Sequence, residues 1–179
     1  MNTLLDVNVV FAIVVERHRH HPTAWQWWDQ QAASSVGLCL PVRLGLLRLL
    51  TNAKVMENLP VTPDEALSAW DAIEADERTF TIGNPTTASE ICFRKNVAGR
   101  MPTPSLWTDA LLAAWAEAAD YRLTSFDGGF RSFPNLKFEM AAWLTKTPLH
   151  PRLEALSLLP DHHQSGRPDS VSFLSRPLA

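Results

Sequence analysis

Three aspartates in this sequence fall where a parallel sheet would gather carboxylates at one edge. Asp6 ends the first predicted strand, at residues 3–6, and Asp127 lies two residues past the fourth. Asp109 lies in the first turn of a long predicted helix that leads into the fourth strand. Because open parallel sheets bind ligands outside the carboxyl ends of their strands, we expect these three side chains to meet at one rim.

Crowded carboxylates repel one another, and a hard divalent cation removes that repulsion. The predicted donors are oxygens without nearby Cys or His, which suits Mg²⁺, with Mn²⁺ as a substitute, rather than Zn²⁺. Such a site supports metal-assisted hydrolysis of phosphodiester bonds. Each acid also has a simpler explanation: Asp6 as a helix cap, Asp109 as a first-turn residue favoured by the helix dipole, and Asp127 as a turn residue.

The elements that would position these acids alternate along the chain. Strands are predicted at 3–6, 37–40, 79–82, 121–125 and 135–139. Helices are predicted at 9–16, 22–33, 42–52, 63–77, 86–97 and 106–119. Short strands alternating with helices indicate an α/β fold, a three-layer α/β/α sandwich around a central, mostly parallel sheet of about five short strands.

Local signals define several helix ends. Thr62 and Glu65 have the spacing of a capping box, and Ser105 is the expected cap of the helix at 106–119. The helix at 42–52 is apolar on nearly all sides, so we expect it to be buried.

Composition limits the functional classes. The 179 residues carry a net charge of −3 and 20% charged residues, so bulk positive charge does not drive any nucleic-acid binding. We expect one folded domain at 1–146 and a Pro/Ser-rich tail at 147–179, irregular apart from a short helix near 151–158. Cys39 and Cys92 are interpreted as reduced thiols of a cytoplasmic protein, and neither a membrane span nor a secretory signal is visible.

Four segments together resemble the PIN-domain ribonucleases, and among them the VapC toxins of bacterial toxin–antitoxin pairs. The segments occur in the order Leu-Leu-Asp-Val-Asn-Val at 4–9, Leu-Leu-Arg-Leu-Leu-Thr-Asn at 46–52, Trp-Thr-Asp-Ala at 107–110 and Leu-Thr-Ser-Phe-Asp-Gly-Gly-Phe at 123–130. The resemblance covers roughly residues 1–140. It implies a PIN-like fold and a Mg²⁺-dependent endoribonuclease, in many relatives a homodimer, that a cognate antitoxin silences.

The resemblance also implies roles for individual residues. Asp6, Asp109 and Asp127 are then the catalytic, metal-binding acids, and Ser125 stands where the family often has Thr, as a supporting hydroxyl. Many PIN domains carry a Glu on the helix after the second strand, whereas this chain has no acid at 41–48. Asn8 is therefore a candidate neutral oxygen ligand, direct or through water, and the number of metals, one or two, stays open.

Five cations are candidates for contacts with RNA phosphates, the alternative being a solvated face. They are Arg43, Arg48, Arg94, Lys95 and Arg100. The substrate is expected to be RNA, tRNA among the candidates.

Aromatic and imidazole clusters have a structural interpretation. Trp25, Trp27, Trp28 and Trp70 are expected to pack in the core or at a subunit contact, with base stacking as the alternative. His18, His20 and His21 are expected in a solvent-exposed loop.

Two other functions are compatible with the sequence. One is a catalytically weak or inactive PIN-like protein that only binds RNA or an antitoxin, as the missing acid after the second strand suggests. The other is an aspartyl-nucleophile phosphatase, in which an Asp also follows the first strand. That reaction usually needs a second Asp two residues later, where this chain has Asn8.

Overall fold

A computed structural model describes residues 1–141 of the chain. The predicted boundary at 146, the tail at 147–179 and its expected helix near 151–158 lie outside the described residues.

Five short parallel strands form one sheet. They are β1 (Thr3–Leu5), β2 (Val36–Leu38), β3 (Thr79–Thr81), β4 (Arg122–Ser125) and β5 (Lys137–Met140). Their order across the sheet is β3-β2-β1-β4-β5, and each neighbouring pair runs parallel. The predicted α/β sandwich with about five parallel strands is therefore confirmed.

Six helices connect these strands. They are α1 (Val7–Val14), α2 (His21–Trp28), α3 (Leu40–Leu50), α4 (Pro63–Glu74), α5 (Thr87–Val97) and α6 (Leu106–Ala118). Contacts divide them into α1–α4 and the pair α5 and α6. Right-handed crossovers place these two groups on opposite faces of the sheet, because the chain moves towards β3 and then returns past β1 to β4.

The direction of winding reverses at β1, which lies between β2 and β4. A reversal of this kind opens a crevice at the carboxyl ends of the two strands beside it. Asp6 follows β1 directly, and Asp127 follows β4 after one intervening residue. The topology therefore brings the first and last of the three aspartates to the same crevice.

Two helices begin two residues earlier than the sequence predicted. Helix α1 begins at Val7 rather than residue 9 because the carboxylate of Asp6 accepts a hydrogen bond from the Val7 amide and caps the helix. Helix α3 begins at Leu40 rather than residue 42 because Pro41 fits the first helical turn, where no amide donor is needed.

The expectation that the helix at 42–52 is buried on all sides is wrong. Val42, Leu46 and Leu50 are buried, whereas Leu40 and Leu44 are exposed. Helix α3 therefore packs along one stripe and presents leucines to solvent on another.

The predicted cap of α4 is confirmed in full, because the Thr62 hydroxyl accepts from the Glu65 amide and the Glu65 carboxylate accepts from the Thr62 amide. Ser105 does precede α6, but its side chain makes no capping hydrogen bond there. Helix α2 ends at Trp28 rather than residue 33, because a turn begins at Asp29.

The core explains most of the tryptophans. Trp27, Trp28 and Trp70 are buried, as expected for core residues, and Trp25 packs against the core while partly exposed. Both cysteines are free thiols. Within residues 1–141, no helix combines the length and apolar character needed to cross a membrane.

Candidate active site

Asp6 is a buried carboxylate whose two oxygens are both held. Its Oδ1 accepts from the Val7 amide at 2.7 Å, and its Oδ2 accepts from the Ser125 hydroxyl at 2.7 Å. Burial raises the pKa of Asp6 to about 6; the two hydrogen bonds act against that rise, and the charges of Asp109 and Asp127 add to it. Near neutral pH, Asp6 is therefore a buried negative charge held at a cost in free energy.

Ser125 links Asp6 to the turn that carries Asp127. Its fully buried hydroxyl accepts from the Asn8 side-chain amide at 2.9 Å and from the Asp127 backbone amide at 2.9 Å. With both acceptor positions used, its only proton is directed at Asp6. The hydroxyl thus orients one acid and anchors the backbone of another.

Asn8, in the first turn of α1, links that helix to the end of β4 through both ends of its side-chain amide. Its nitrogen donates to Ser125, and its oxygen accepts from the Phe126 backbone amide at 3.1 Å. This oxygen is consequently engaged with the protein, and Asn8 acts on the turn before Asp127.

The other two acids face a cleft beside Asp6. Asp127 begins a short 3₁₀ helix at Gly128–Ser132, and its Oδ1 accepts from the Gly129 amide at 2.7 Å. Asp109 is half-buried in the first turn of α6. Partial burial raises the pKa of Asp109, the Asp127 charge raises it further, and the Ser105 hydroxyl lowers it.

The negative charge at this rim is not neutralised by the described chain. Among residues 1–141, the ion pairs between side chains involve other acids and leave these three aspartates without a basic partner. Uncompensated carboxylates with only oxygen donors nearby are the chemistry that Mg²⁺ or Mn²⁺ fits.

The acids nevertheless do not form a closed cage. Within the described part of the chain, no group of three His, Cys, Asp or Glu side chains is arranged so that it could hold a metal ion. Mg²⁺ usually keeps several waters and needs only one or two carboxylates. The donor set therefore fits a largely hydrated ion better than a cation enclosed by protein ligands.

A cleft of about 300 Å³ opens beside Asp109 and Asp127. One wall is the loop at 99–105, which contributes Arg100, Met101 and Thr103.

The 3₁₀ helix and the residue after it form a second wall of this cleft, with Gly129, Ser132 and Phe133. The Arg100 guanidinium donates to the Ser132 hydroxyl at 2.8 Å and to the Ser132 carbonyl at 2.5 Å. It also lies 4.1 Å from the centre of the Phe133 ring. Arg100 therefore ties the two walls together beside the acids.

The other predicted RNA-binding cations lie elsewhere on the described surface. Arg94 pairs with Glu90 within α5, and Lys95 is exposed on the same helix. The Arg43 guanidinium packs over Trp70 at 5.8 Å, and Arg48 is exposed in the last turn of α3. Of these five cations, Arg100 is the one that lines the cleft.

The expectation that the histidines lie in an exposed loop is wrong, because all three are half-buried. The His20 ring stacks on Phe126 with a centroid separation of 4.6 Å, next to Asp127. A ring nitrogen of His21 lies 2.8 Å from the Ala12 carbonyl oxygen. Burial, followed by the Arg19 charge, lowers the pKa of His20.

Sequence reasoning did not find the wall residues Met101, Ser132 and Phe133. Their only sequence signal is position, since they lie in the loops that immediately precede Asp109 and follow Asp127.

Individual proteins, but no family model, are similar to this chain. No family model matches the chain. The ribonuclease VapC41 of Mycobacterium tuberculosis is 30% identical over 143 residues, which cover 78% of this chain and 98% of that protein. The ribonuclease VapC33 of the same species is 25% identical over 136 residues, covering 74% of this chain and 93% of that protein.

A solved structure has the same fold at low sequence identity. It is that of Mycobacterium tuberculosis VapC20, described as a sarcin–ricin-loop-cleaving toxin, with a TM-score of 0.57 and 16% identity. The match covers 76% of this chain and 98% of that one.

Proposed function

Since this chain belongs to the VapC ribonuclease family, we propose that it is a metal-dependent endoribonuclease and the toxin of a toxin–antitoxin pair. The observation that carries the proposal is the crevice beside β1, where Asp6, Asp109 and Asp127 share one rim without a basic partner among the described residues. The substrate would be RNA, tRNA among the candidates, and the site of action the cytoplasm.

Each acid has a distinct part in this proposal. Asp109 and Asp127 border the cleft and would hold Mg²⁺, or Mn²⁺ in its place, largely through its water shell. Asp6 lies behind them as a buried charge that Ser125 orients. When bound, the metal activates a water and stabilises charge on the phosphate.

The rest of the network keeps these groups in place. Asn8 and Ser125 hold the backbone of the turn at 126–127, so the Asp127 carboxylate starts from a defined position. Preorganisation of this kind limits the reorganisation that the site needs when the charge develops.

Cleavage of RNA by the purified protein, freed from any co-purifying partner, tests the proposal. Total tRNA and a panel of structured RNAs are incubated with Mg²⁺, with Mn²⁺ and with EDTA. We expect cutting with either metal and none with EDTA. Asp109→Asn and Asp127→Asn should lower the rate by about 100- to 1000-fold.

Asp71→Asn is the matched control, because Asp71 is an exposed acid on α4 and away from the rim. It should cut as the unaltered protein does. Equal cutting by all three variants, with the fold intact by circular dichroism, would exclude these acids as the catalytic group.

Binding without cleavage is the second candidate. The absence of any acid in the first turn of α3, where Arg43 stands, favours it because fewer carboxylates attract the metal more weakly. A folded, partner-free protein that cuts no RNA with any metal and shows no thermal shift in millimolar Mg²⁺ supports this candidate. The phosphatase hypothesis has less support, because Asn8 is an amide committed to Ser125 and Phe126 and cannot act as a general acid.

A further inference from the structure

The cleft beside Asp109 and Asp127 contains more than a metal site requires. Two of its sides are built from a loop and a turn that carry apolar, hydroxyl and guanidinium groups. A methionine side chain and an aromatic ring are not needed to bind a hydrated metal ion or a phosphate. These groups are instead typical of surfaces on which unpaired bases stack.

Arg100 provides the flat surface. Two hydrogen bonds to Ser132 and the contact with the Phe133 ring hold its guanidinium in one orientation. Both partners lie in or next to the 3₁₀ helix that begins after Asp127. The guanidinium is thereby preorganised for stacking, and it keeps its positive charge near the strand's phosphates.

Met101 provides the apolar side. It is 82% exposed although it is a large hydrophobic side chain, and it lies on the wall of the cleft. A flexible thioether suits contact with bases of different shapes. Thr103 and Ser105 add hydroxyls to the same wall.

Size and position agree with a single base. A volume of about 300 Å³ is at the lower limit of ligand pockets in proteins. Gly129 contributes no side chain to the lining of the cleft. A Cβ at this position would lie 3.1 Å from the Asp127 Oδ1. Because Asp109 and Asp127 also line the cleft, its occupant would be the nucleotide adjoining the phosphate at the acids.

We propose that this cleft is a nucleobase subsite, in which an unpaired base next to the scissile phosphate stacks on the Arg100 guanidinium against Met101. The proposal rests on the proposed ribonuclease function and specifies how its substrate is held. Stacking accepts every base, so the subsite would select single-stranded over paired RNA more strongly than it selects sequence.

Binding of mononucleotides tests the subsite without any cleavage. AMP, GMP, CMP and UMP are titrated into the full-length protein with Mg²⁺ and compared with ribose 5-phosphate by NMR chemical-shift mapping. We expect each nucleotide to bind about 10-fold more tightly than the sugar phosphate, with shifts in the amides at 100–105 and 129–133. Equal affinities for nucleotides and ribose 5-phosphate would overturn the proposal.

Two variants locate the effect. Met101→Ala alters an exposed side chain, so the fold should persist, and Arg100→Lys keeps the charge while removing the planar group. Both should lose most of the preference for nucleotides. Leu59→Ala is the matched control, because Leu59 is an exposed apolar side chain of a different loop. Nucleotide binding unchanged in Met101→Ala and Arg100→Lys would also contradict the subsite.

Cleavage measured in parallel separates the two proposals. If nucleotide binding depends on Met101 and Arg100 but the protein cuts no RNA, the result supports the nucleobase subsite and contradicts the ribonuclease function. If the protein cuts RNA but binds nucleotides no better than ribose 5-phosphate, the result supports the ribonuclease function and contradicts the nucleobase subsite.

Discussion

At the scale of single residues, Asp6 combines a functional position with a cost to stability. The residue is 7% exposed and lies near two other acids, so the folded protein resists ionisation of its carboxyl group. The same burial that makes the apoprotein less stable raises the attraction of the site for a cation. Under the proposed function, binding of a cation next to Asp6 would therefore be coupled to folding.

This coupling predicts an unusual dependence of stability on pH. The folded-state pKa of Asp6, about 6, lies above its unfolded value of 3.8, so the native state binds more protons between them. Stability of the metal-free protein should therefore fall as pH rises from about 4 to about 6, on the order of 3 kcal/mol from this residue.

Urea denaturation in EDTA at a series of pH values measures this effect. Asp6→Asn removes the titrating group, so its unfolding free energy should lack that decline and exceed that of the unaltered protein at pH 7.5. A variant with the same pH dependence as the unaltered protein would show that Asp6 is not the group responsible.

Ser125 offers a second prediction at this scale. Its hydrogen bond lowers the pKa of Asp6, so Ser125→Ala should raise that pKa and move the acid limb of RNA cleavage to higher pH. The rate at neutral pH should drop by about 10- to 100-fold, the range seen when an outer group that orients a metal site is removed. A pH–rate profile gives both quantities.

Ser89→Ala is the control for loss of a buried serine. Ser89 belongs to the capping box of α5, so its removal should reduce stability and leave the acid limb where it was. An acid limb that stays in place in Ser125→Ala would argue against the link to Asp6.

At the scale of elements, α1 and α3 approach closely just after Asp6. A Cβ added to Gly45 of α3 would lie 2.9 Å from the Val7 Cγ2 in the first turn of α1. Val7 also supplies the amide that binds the Asp6 carboxylate. Gly45 is therefore required by packing at the point where the site begins.

Gly45→Val should accordingly destabilise the protein by about 1–3 kcal/mol, because the helices must separate or distort. Adding Val7→Ala should recover part of this loss, since it removes the clashing methyl groups. Gly83→Val is the control, because no atom lies within 4 Å of a Cβ at Gly83. Thermal denaturation of the variants measures these differences, and a double variant no more stable than Gly45→Val would contradict the proposed clash.

The elements also show what the sequence could and could not predict. The parallel sheet was predictable because short strands alternate with helices along the chain, as in βαβ units. The exposure of the leucines on α3 was not predictable, because a helix with apolar residues on nearly all sides gives no periodic signal for its buried face.

Side-chain contacts between loops were beyond sequence reasoning altogether. Arg100 was identified as a cation near the path to Asp109, but its partners Ser132 and Phe133 lie more than thirty positions away in an irregular segment. Local patterns carry no information on such pairings. The proximity of the three aspartates was predictable because their positions follow from topology, whereas the cleft beside them depends on loop packing.

At the scale of the whole molecule, apolar side chains remain uncovered on two surfaces. Leu40 and Leu44 are exposed on α3, and Ile91 and Trp107 are exposed on the paired helices α5 and α6. Large exposed hydrophobic groups are typical of contacts between proteins. The homodimer that the family resemblance implies and the proposed antitoxin complex would each need such a surface.

The isolated full-length protein should therefore have twice the chain mass of 20.0 kDa by light scattering after size exclusion. One of two double variants, Leu40→Ser with Leu44→Ser or Ile91→Ser with Trp107→Ser, should yield the monomer and identify the surface. If the unaltered protein is monomeric at micromolar concentration, the expectation of a homodimer is wrong.

The position of β1 in the middle of the sheet has a consequence for the synthesis of this protein. Asp6 directly follows β1, and β1 pairs with β4, which is translated more than a hundred residues later. Ser125 and Asp127 emerge together with that last partner strand. A nascent chain therefore lacks the assembled acids until the segment that carries β4, Ser125 and Asp127 has been made, and the proposed activity is absent before that point.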